Sequence, residues 1–485
     1  MTDVKEAPAP KSEVVRILLV FFAMIQITLS AGLIIGWPGI AGSMLVEPLE
    51  HGGAGLTLDQ TTQLYGLAAA VNYVAPLFLG LVLDKFGPRA CSVLSNAIVA
   101  IGLGIFSSAS SFSTFALGIS CVAFGGPSVQ QCLLHVGNMF AERRYFVMGI
   151  VAESITLSFA VFPTMDIIWE QGYGFRVLFS SLGVMVFLST IGSLLLWPDA
   201  PYEVPDSDGA AKEEKDRKEK DPHQELKEAS FFDQLSSGVY LRLCIFFMVT
   251  SWWANFYIAT VTTESNDNDA EAQSVRLIQL GDQGKFDAEM QHTLTRWLSF
   301  LDAGAIIAAP LSGYMLDSVG FAPTAVVTIA LGILQQIALL MAGSNSYIMI
   351  GSFAAYAIYR AFLFPYFFAS LSRRMGFRYF GFLSGISFCA SGFTQFGVAS
   401  MALLIEGDCH KIEDYMSGLD MDCSEGIWGS VHWLQIAILA LLFLVPFLDV
   451  QLVRQPKESL YPKEESTSML PSSSSEYGSI RTSDP

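Results

Sequence analysis

Charge is what this sequence has least of. Lys, Arg, Asp and Glu make up 15% of its 485 residues, where an ordinary soluble domain carries about 25%. A water-exposed surface for a chain of this length cannot be built from so few charges, which excludes a soluble globular protein. Histidine is scarce, at six. The seven cysteines (Cys91, Cys121, Cys132, Cys244, Cys389, Cys409, Cys423) show no metal-ligand spacing, so no metal centre is expected. Five of them lie in or near apolar stretches and read as small packing residues. No nucleophile–base constellation stands out, so neither an enzyme nor a cofactor is expected. Met1 to Ser12 is polar and mixed in charge, without a short apolar core and small-residue cleavage site, so a cleaved signal is not expected. The formal charge of −18 gathers in tails and loops. That placement gives no surface for nucleic acid, and none is expected as a partner.

What is present is apolar: 52% of the chain, in blocks of about twenty residues or more. Such blocks cross roughly 30 Å of hydrocarbon as helices. The 41 glycines and 20 prolines suit membrane helices, which tolerate both. The pattern predicts an all-α membrane protein of twelve spans, at roughly 16–45, 61–83, 90–109, 113–138, 145–169, 175–197, 240–262, 295–316, 322–342, 346–371, 379–405 and 429–452. Between spans six and seven runs a hydrophilic stretch from Asp199 to Gln234, including Lys212 to Lys220, nine consecutive charged residues. That composition predicts a solvated, disordered linker. The expected organisation is an N-tail (1–15), a six-helix bundle (16–197), a linker (198–239), a second six-helix bundle (240–453) and a disordered C-tail (454–485).

Orientation follows from lysine and arginine, which favour cytoplasmic loops. One side holds Lys85, Arg89, Arg143, Arg144, Arg373, Arg374 and Arg378, with the linker and both tails. The other holds Arg176, Arg276, Lys285, Arg296 and Lys411. Both termini and the linker are therefore expected in the cytoplasm.

The halves repeat. Ala75-Pro76-Leu-Phe-Leu-Gly80 with Asp84 and Gly87 matches Ala309-Pro310-Leu-Ser-Gly313 with Asp317 and Gly320, with one deletion, at an offset of about 233 residues. Arg144-Tyr-Phe at the start of span five matches Arg378-Tyr-Phe at the start of span eleven. The Gly80–Arg89 segment resembles the cytoplasmic signature of the major facilitator superfamily, whose fold is two six-helix bundles. Asp84 is expected to pair with Arg89 or Arg144, or to face the positive end of a neighbouring helix. Such contacts would gate the cytoplasmic side. The second copy keeps Asp317, but no basic residue follows it.

Four further places resemble the solute-carrier 43 family of system-L-type facilitative amino acid transporters and their protist relatives. They are Gly36-Trp37-Pro38 in span one, Gly137-Asn138-Met-Phe140 at the end of span four, Trp252-Trp253-Ala-Asn-Phe-Tyr257 in span seven and Arg360-Ala-Phe-Leu363-Phe in span ten. The chain departs from that family before span eleven. There it has Arg373-Arg374-Met-Gly-Phe-Arg378-Tyr-Phe-Gly381 in place of a Phe-Pro-Ser-Glu-His-Phe-Gly pattern. The resemblance implies sodium-independent movement of neutral amino acids, and that one branch moves purine nucleobases. It also implies that spans one, four, seven and ten line a central cavity.

Ionisable residues at membrane depth are expensive and mark function. Arg360, Glu153 and Asp302 sit at such depth. Arg360 suits a substrate carboxylate, since a guanidinium binds it in bidentate fashion, and Glu153 suits an amino group. The alternative is a structural pair of Arg360 with Glu153 or Asp302. Pro38, flanked by Gly36 and Gly39, either frees backbone groups for a zwitterion or simply kinks span one. Trp37, Gln130, Gln131, Trp252 and Asn255 complete the candidate binding set. Adjacent Trp252 and Trp253 differ by about 100° around a helix, so one is expected to face away. His135 is expected to be a packed, neutral ring.

Two outer loops are acidic, and Cys409 and Cys423 share the second, on the side where disulfides persist. A disulfide is expected there. The Ser-rich tail holds Tyr477-Gly-Ser-Ile480, a pattern of the kind read by trafficking adaptors, which favours the plasma or endolysosomal membrane. The expected activity is alternating-access movement of an amino acid, neutral and large or branched, in facilitative mode, with proton coupling through Glu153 or Asp302 left open. The alternatives are nucleobases, cationic amino acids or another small metabolite, and a receptor that binds without transport. The expected partners are a small solute and the lipid bilayer, and oligomeric state is left open.

Overall fold

The structure is a computed structural model that describes residues 7–204, 223–261, 263–264, 275–276, 300–342, 345–393 and 423–446. Among these, seven helices are long and apolar enough to cross a membrane. One of them, Asp59–Ser108, is 50 residues long. At 1.5 Å per residue it measures about 75 Å, more than twice the hydrocarbon thickness. It is two spans joined at Gly87, where the backbone leaves helical geometry (φ 82°, ψ 179°). A side chain there would also collide with the Asp199 carbonyl. Gly320, its counterpart in the second half, takes nearly the same conformation (φ 108°, ψ 172°). The repeat read from side chains is thus also present in the backbone.

The surface is inverted relative to a soluble protein. On Phe175–Leu196, Val184, Phe187, Leu188, Leu194 and Leu195 are exposed, Leu195 at 73%, while Ser189, Thr190 and Ser193 are buried. Water would penalise that apolar face, and lipid does not. Inside the first bundle, polar groups tie the helices together. Gln26 donates to the Ser189 carbonyl at 2.8 Å and to the Ser193 hydroxyl at 2.6 Å, and accepts from Trp197 Nε1 at 2.7 Å. Ser30 donates to Asn96 at 2.9 Å.

Proline breaks two predicted spans. Span five is Arg144–Phe159 followed by Val161–Trp169. Pro163 has no N–H to give Phe159, so the helix divides there. Span eight, predicted as one helix, changes character at Pro310. It passes from a tight 3₁₀ turn (Ala305–Ala308) through Ala309–Tyr314 to a π turn at Met315–Val319. Among the described residues the all-α architecture also carries a short strand pair. Thr263–Glu264 pairs antiparallel with Val275–Arg276 in the loop after span seven.

The two bundles meet through small residues. Gly381 and Gly385 of span eleven lie against Gly80 and Pro76 of span two, and a Cβ on Gly385 would come within 2.5 Å of the Pro76 carbonyl. Gly313 of span eight lies against Phe146 of span five, where a Cβ would come within 2.6 Å of its Cα. These two seams place spans two, five, eight and eleven at the interface and set the central residues opposite one another.

Candidate functional site

Span ten, Ser346–Met375, is capped at its N-terminal end by Asn345, whose side chain accepts from the Tyr347 and Ile348 N–H groups. It carries Tyr356, Arg360 and Phe364 on one stripe, four residues apart. Tyr356 donates to the Ala254 carbonyl of span seven at 2.8 Å, and Tyr359 donates to the Thr250 carbonyl at 2.8 Å. These bonds fix the rotation of span ten and hence the direction of Arg360. The guanidinium donates to Tyr356 Oη at 3.3 Å and lies 3.5 Å from Asp302 Oδ2. It also sits 4.8 Å over the Phe159 ring of span five and 5.4 Å from that of Phe364. Arg360 therefore reaches across from one bundle to the other.

The cluster is dry and incompletely matched. Arg360, Asp302 and Glu153 are 2%, 3% and 0% exposed. Charge-assisted bonds usually measure about 2.7–2.9 Å, so the 3.5 Å ion pair is loose. Arg360 Nε, Asp302 Oδ1 and both oxygens of Glu153 find no hydrogen-bond partner among the described residues. Glu153 lies within electrostatic reach of Arg360 and Asp302. Buried charges left this way are held ready for a partner or a proton. Tyr65 and Tyr73 of span two lie within electrostatic reach of Arg360, and Asn255 lies beside the Tyr73 hydroxyl.

The remaining candidate residues divide. Gln130 donates to the Ala152 carbonyl at 2.6 Å, one residue before Glu153. Trp252 is half-buried in span seven and stacks on Trp253, with ring centroids 4.4 Å apart and planes at 18°. The expectation that one ring faces away is therefore wrong. The Cα–Cβ bonds diverge, but the side-chain torsions bring the two large rings back together. Trp37 is 2% exposed and packs edge-on against Phe106 in the core of the first bundle, not beside Arg360. Gly36 lies against the backbone of Phe159, and a Cβ there would come within 2.7 Å of the carbonyl that Pro163 leaves free. Pro38 opens a short helix, Pro38–Ala41, at the position where a missing N–H costs nothing. Gly36 and Trp37 thus serve packing within the first bundle.

Gln131 leaves both amide atoms without a partner among the described residues. It lines a cavity of about 210 Å³ with Asp84, Lys85, His135 and Arg378. His135 Nδ1 lies 2.8 Å from the Cys132 carbonyl, and the ring stacks on Tyr202 at 5.2 Å.

The repeat-related aspartates act alike. Asp84 accepts from the N–H groups of Gly381 and Phe382 at 2.7 and 2.8 Å, at the start of the helix Phe380–Phe393. Asp317 accepts from those of Tyr145 and Phe146 at 3.1 and 2.7 Å, at the start of Arg144–Phe159. Each carboxylate thus neutralises the positive end of a helix from the other bundle. Of the partners weighed for Asp84, the helix terminus is the one it takes. Arg89 binds elsewhere: Nη1 lies 2.9 Å from Asp199, and Nε donates to the Trp197 carbonyl at 2.5 Å. Arg144 stacks against Tyr145 and Phe377, at 5.4 and 5.5 Å, and acts electrostatically on Asp317. A basic residue after Asp317 is unnecessary, because backbone N–H groups supply the positive end. Burial pushes the Asp317 carboxyl above the usual range, and its two N–H bonds pull it back. Cys409, the Cys423 side chain, Tyr477 and Ile480 lie outside the described residues.

The chain matches the sequence profile of the Major Facilitator Superfamily over residues 17–399 and belongs to that superfamily. It is an integral, multi-pass membrane transporter and not an enzyme. Among individual proteins, it is 26% identical over 165 residues to Protein FMP42 of Saccharomyces cerevisiae, covering 31% of this chain and 33% of that one. It is 24% identical over 196 residues to Cationic amino acid transporter 8 of Plasmodium berghei, covering 36% and 38%. It is 28% identical over 152 residues to Large neutral amino acids transporter small subunit 3 of Homo sapiens, covering 29% and 26%. The chain thus aligns with between a quarter and two-fifths of the length of these relatives. In fold it is similar to the proton:xylose symporter XylE, with a TM-score of 0.59 at 14% identity, over 88% of this chain and 96% of that one.

Proposed function

We propose that this protein carries amino acids across the membrane by alternating access. The observation that carries the reading is the buried cluster at the seam between bundles, where Arg360 holds Asp302 loosely and Glu153 is unmatched. An α-amino acid supplies the groups this cluster lacks. Its carboxylate takes the Arg360 guanidinium in bidentate fashion. Its ammonium takes Asp302, which loses Arg360 in the exchange, with Glu153 beside it. Sugars and nucleobases offer no such pair of opposite charges. Two of the relatives carry amino acid transport in their names, which favours the same class. Tyr73, which lies within electrostatic reach of Arg360 with Asn255 at its hydroxyl, would meet the solute's side chain.

In this reading Asp84 and Asp317 are the cytoplasmic gate. Both hold the inner ends of the bundles together while solute enters from outside, and both must release before it leaves. Net movement of neutral amino acids runs down their own gradient. The linker and the tails lie on the cytoplasmic side, as the lysine and arginine bias supports.

The test is uptake into proteoliposomes from a panel of labelled neutral and cationic amino acids and nucleobases. Wild type is expected to take up amino acids and not nucleobases. Arg360→Ala and Arg360→Lys are expected to lose at least tenfold, about 1.4 kcal/mol of binding. Normal uptake by both variants at equal protein density refutes the reading.

A further inference from the structure

The buried cluster holds two acids and one base. Glu153 lies on span five, Asp302 on span eight and Arg360 on span ten. The groups around Glu153 and its partners come from four elements: Arg360 and Tyr356 of span ten, Asp302 of span eight, Tyr65 and Tyr73 of span two and Tyr257 of span seven. Among the described residues, Arg360 is the one base that acts on Glu153. With both acids ionised, the empty site carries a net charge of −1. A buried, uncompensated charge costs several kcal/mol. Neutrality therefore requires one proton, and Glu153, whose two oxygens both lack partners, is where it fits.

We propose that the site stays neutral throughout its cycle, so that Glu153 keeps its proton with neutral amino acids and surrenders it to cationic ones. This rests on the amino acid reading. A neutral amino acid brings one carboxylate and one ammonium, which pair with Arg360 and Asp302. Its side chain meets a protonated Glu153, and no proton moves with it. A cationic amino acid brings a second positive group. As it binds from outside, the Glu153 O–H bond breaks, its proton passes to outside water, and the carboxylate pairs with the side-chain cation. On release inside, Glu153 takes a proton from cytoplasmic water, and the empty site returns neutral. One cation enters and one proton leaves, with no net charge moved.

The experiment uses the full chain in proteoliposomes with the lumen more acidic than the bath, with labelled arginine and labelled leucine as probes and a trapped pH dye. Arginine is expected to accumulate about tenfold per unit of pH difference, since each unit is a factor of ten in proton activity. Arginine entry is expected to raise lumenal pH, whereas leucine equilibrates without accumulation or pH change. Glu153→Gln cannot release a proton. It is expected to lower the arginine-to-leucine uptake ratio at least tenfold, with Glu153→Asp restoring part of it. Accumulation of leucine and arginine alike, indifference of both to the gradient, or an unchanged ratio in Glu153→Gln overturns the proposal while leaving amino acid transport standing. Uptake of neither amino acid overturns both. The wild-type gradient experiment decides even if the variant does not fold.

Discussion

Replacing Asp84 or Asp317 by Asn tests the proposed gate without changing side-chain volume. Each carboxylate accepts two backbone N–H bonds at the start of a helix of the opposite bundle, at 2.7 to 3.1 Å. A hydrogen bond to a charged group contributes about 1.5–3 kcal/mol. Asn keeps one oxygen as an acceptor but turns an N–H donor toward the second N–H and removes the charge that the helix end favours. The expected loss is about 2–3 kcal/mol per gate, which shifts the ratio of inward-open to inward-closed protein by about 30- to 150-fold. The two sites lie on different helix pairs, so the double variant should show nearly the sum in free energy. Spin labels at exposed Glu142 and Glu228 would report the distance between the inner ends of the bundles. Each single variant should enlarge the long-distance population. Arg89→Gln should not, because Arg89 is engaged with Asp199 and Trp197. An unchanged distance distribution in both aspartate variants, or an Arg89→Gln profile matching Asp84→Asn, refutes the reasoning.

Further outcomes follow from single contacts. Gly320→Ala meets no neighbour within 4 Å, so it should lose about 1–2 kcal/mol of stability through its positive φ alone. Gly87→Ala adds a collision with the Asp199 carbonyl and should lose more, as thermal unfolding in detergent would show. Gln26→Leu removes the bonds donated to Ser189 and Ser193 and strands the Trp197 N–H. At about 0.6 kcal/mol per intramembrane bond it should destabilise by about 1–2 kcal/mol in the same assay. Tyr356→Phe frees span ten from Ala254 and removes one partner of Arg360. About 1 kcal/mol is at stake, so KM for amino acid uptake should rise about fivefold with near-normal expression.

Much of the architecture is legible before any coordinates, because apolar length acts along the chain. The repeat is legible for the same reason, since Asp84 and Asp317 and Gly87 and Gly320 keep one offset. Arg360, Glu153 and Asp302 are visible because a charge among apolar residues stands out. Contacts between distant segments are harder to see. Tyr65 and Tyr73 look like ordinary interfacial aromatics, and their eight-residue spacing on one face of span two is the signal that would have found them. Phe159 looks like any core ring until Pro163 breaks span five beside it. The Gly36-Trp37-Pro38 motif reads as a binding break, yet its glycine is used for contact with Phe159 and its tryptophan for contact with Phe106. Nothing in the local sequence distinguishes those uses. The stacking of Trp252 on Trp253 depends on side-chain torsions that helical periodicity does not fix.

The central claim is that Arg360 reads a solute carboxylate, and competition against labelled leucine uptake tests it most directly. Unlabelled leucine and leucinamide differ in the carboxylate alone. Wild type should favour leucine over leucinamide by at least tenfold, and Arg360→Gln should bring the two close to parity. Equal competition by both compounds in wild type, or an undiminished preference in Arg360→Gln, contradicts it.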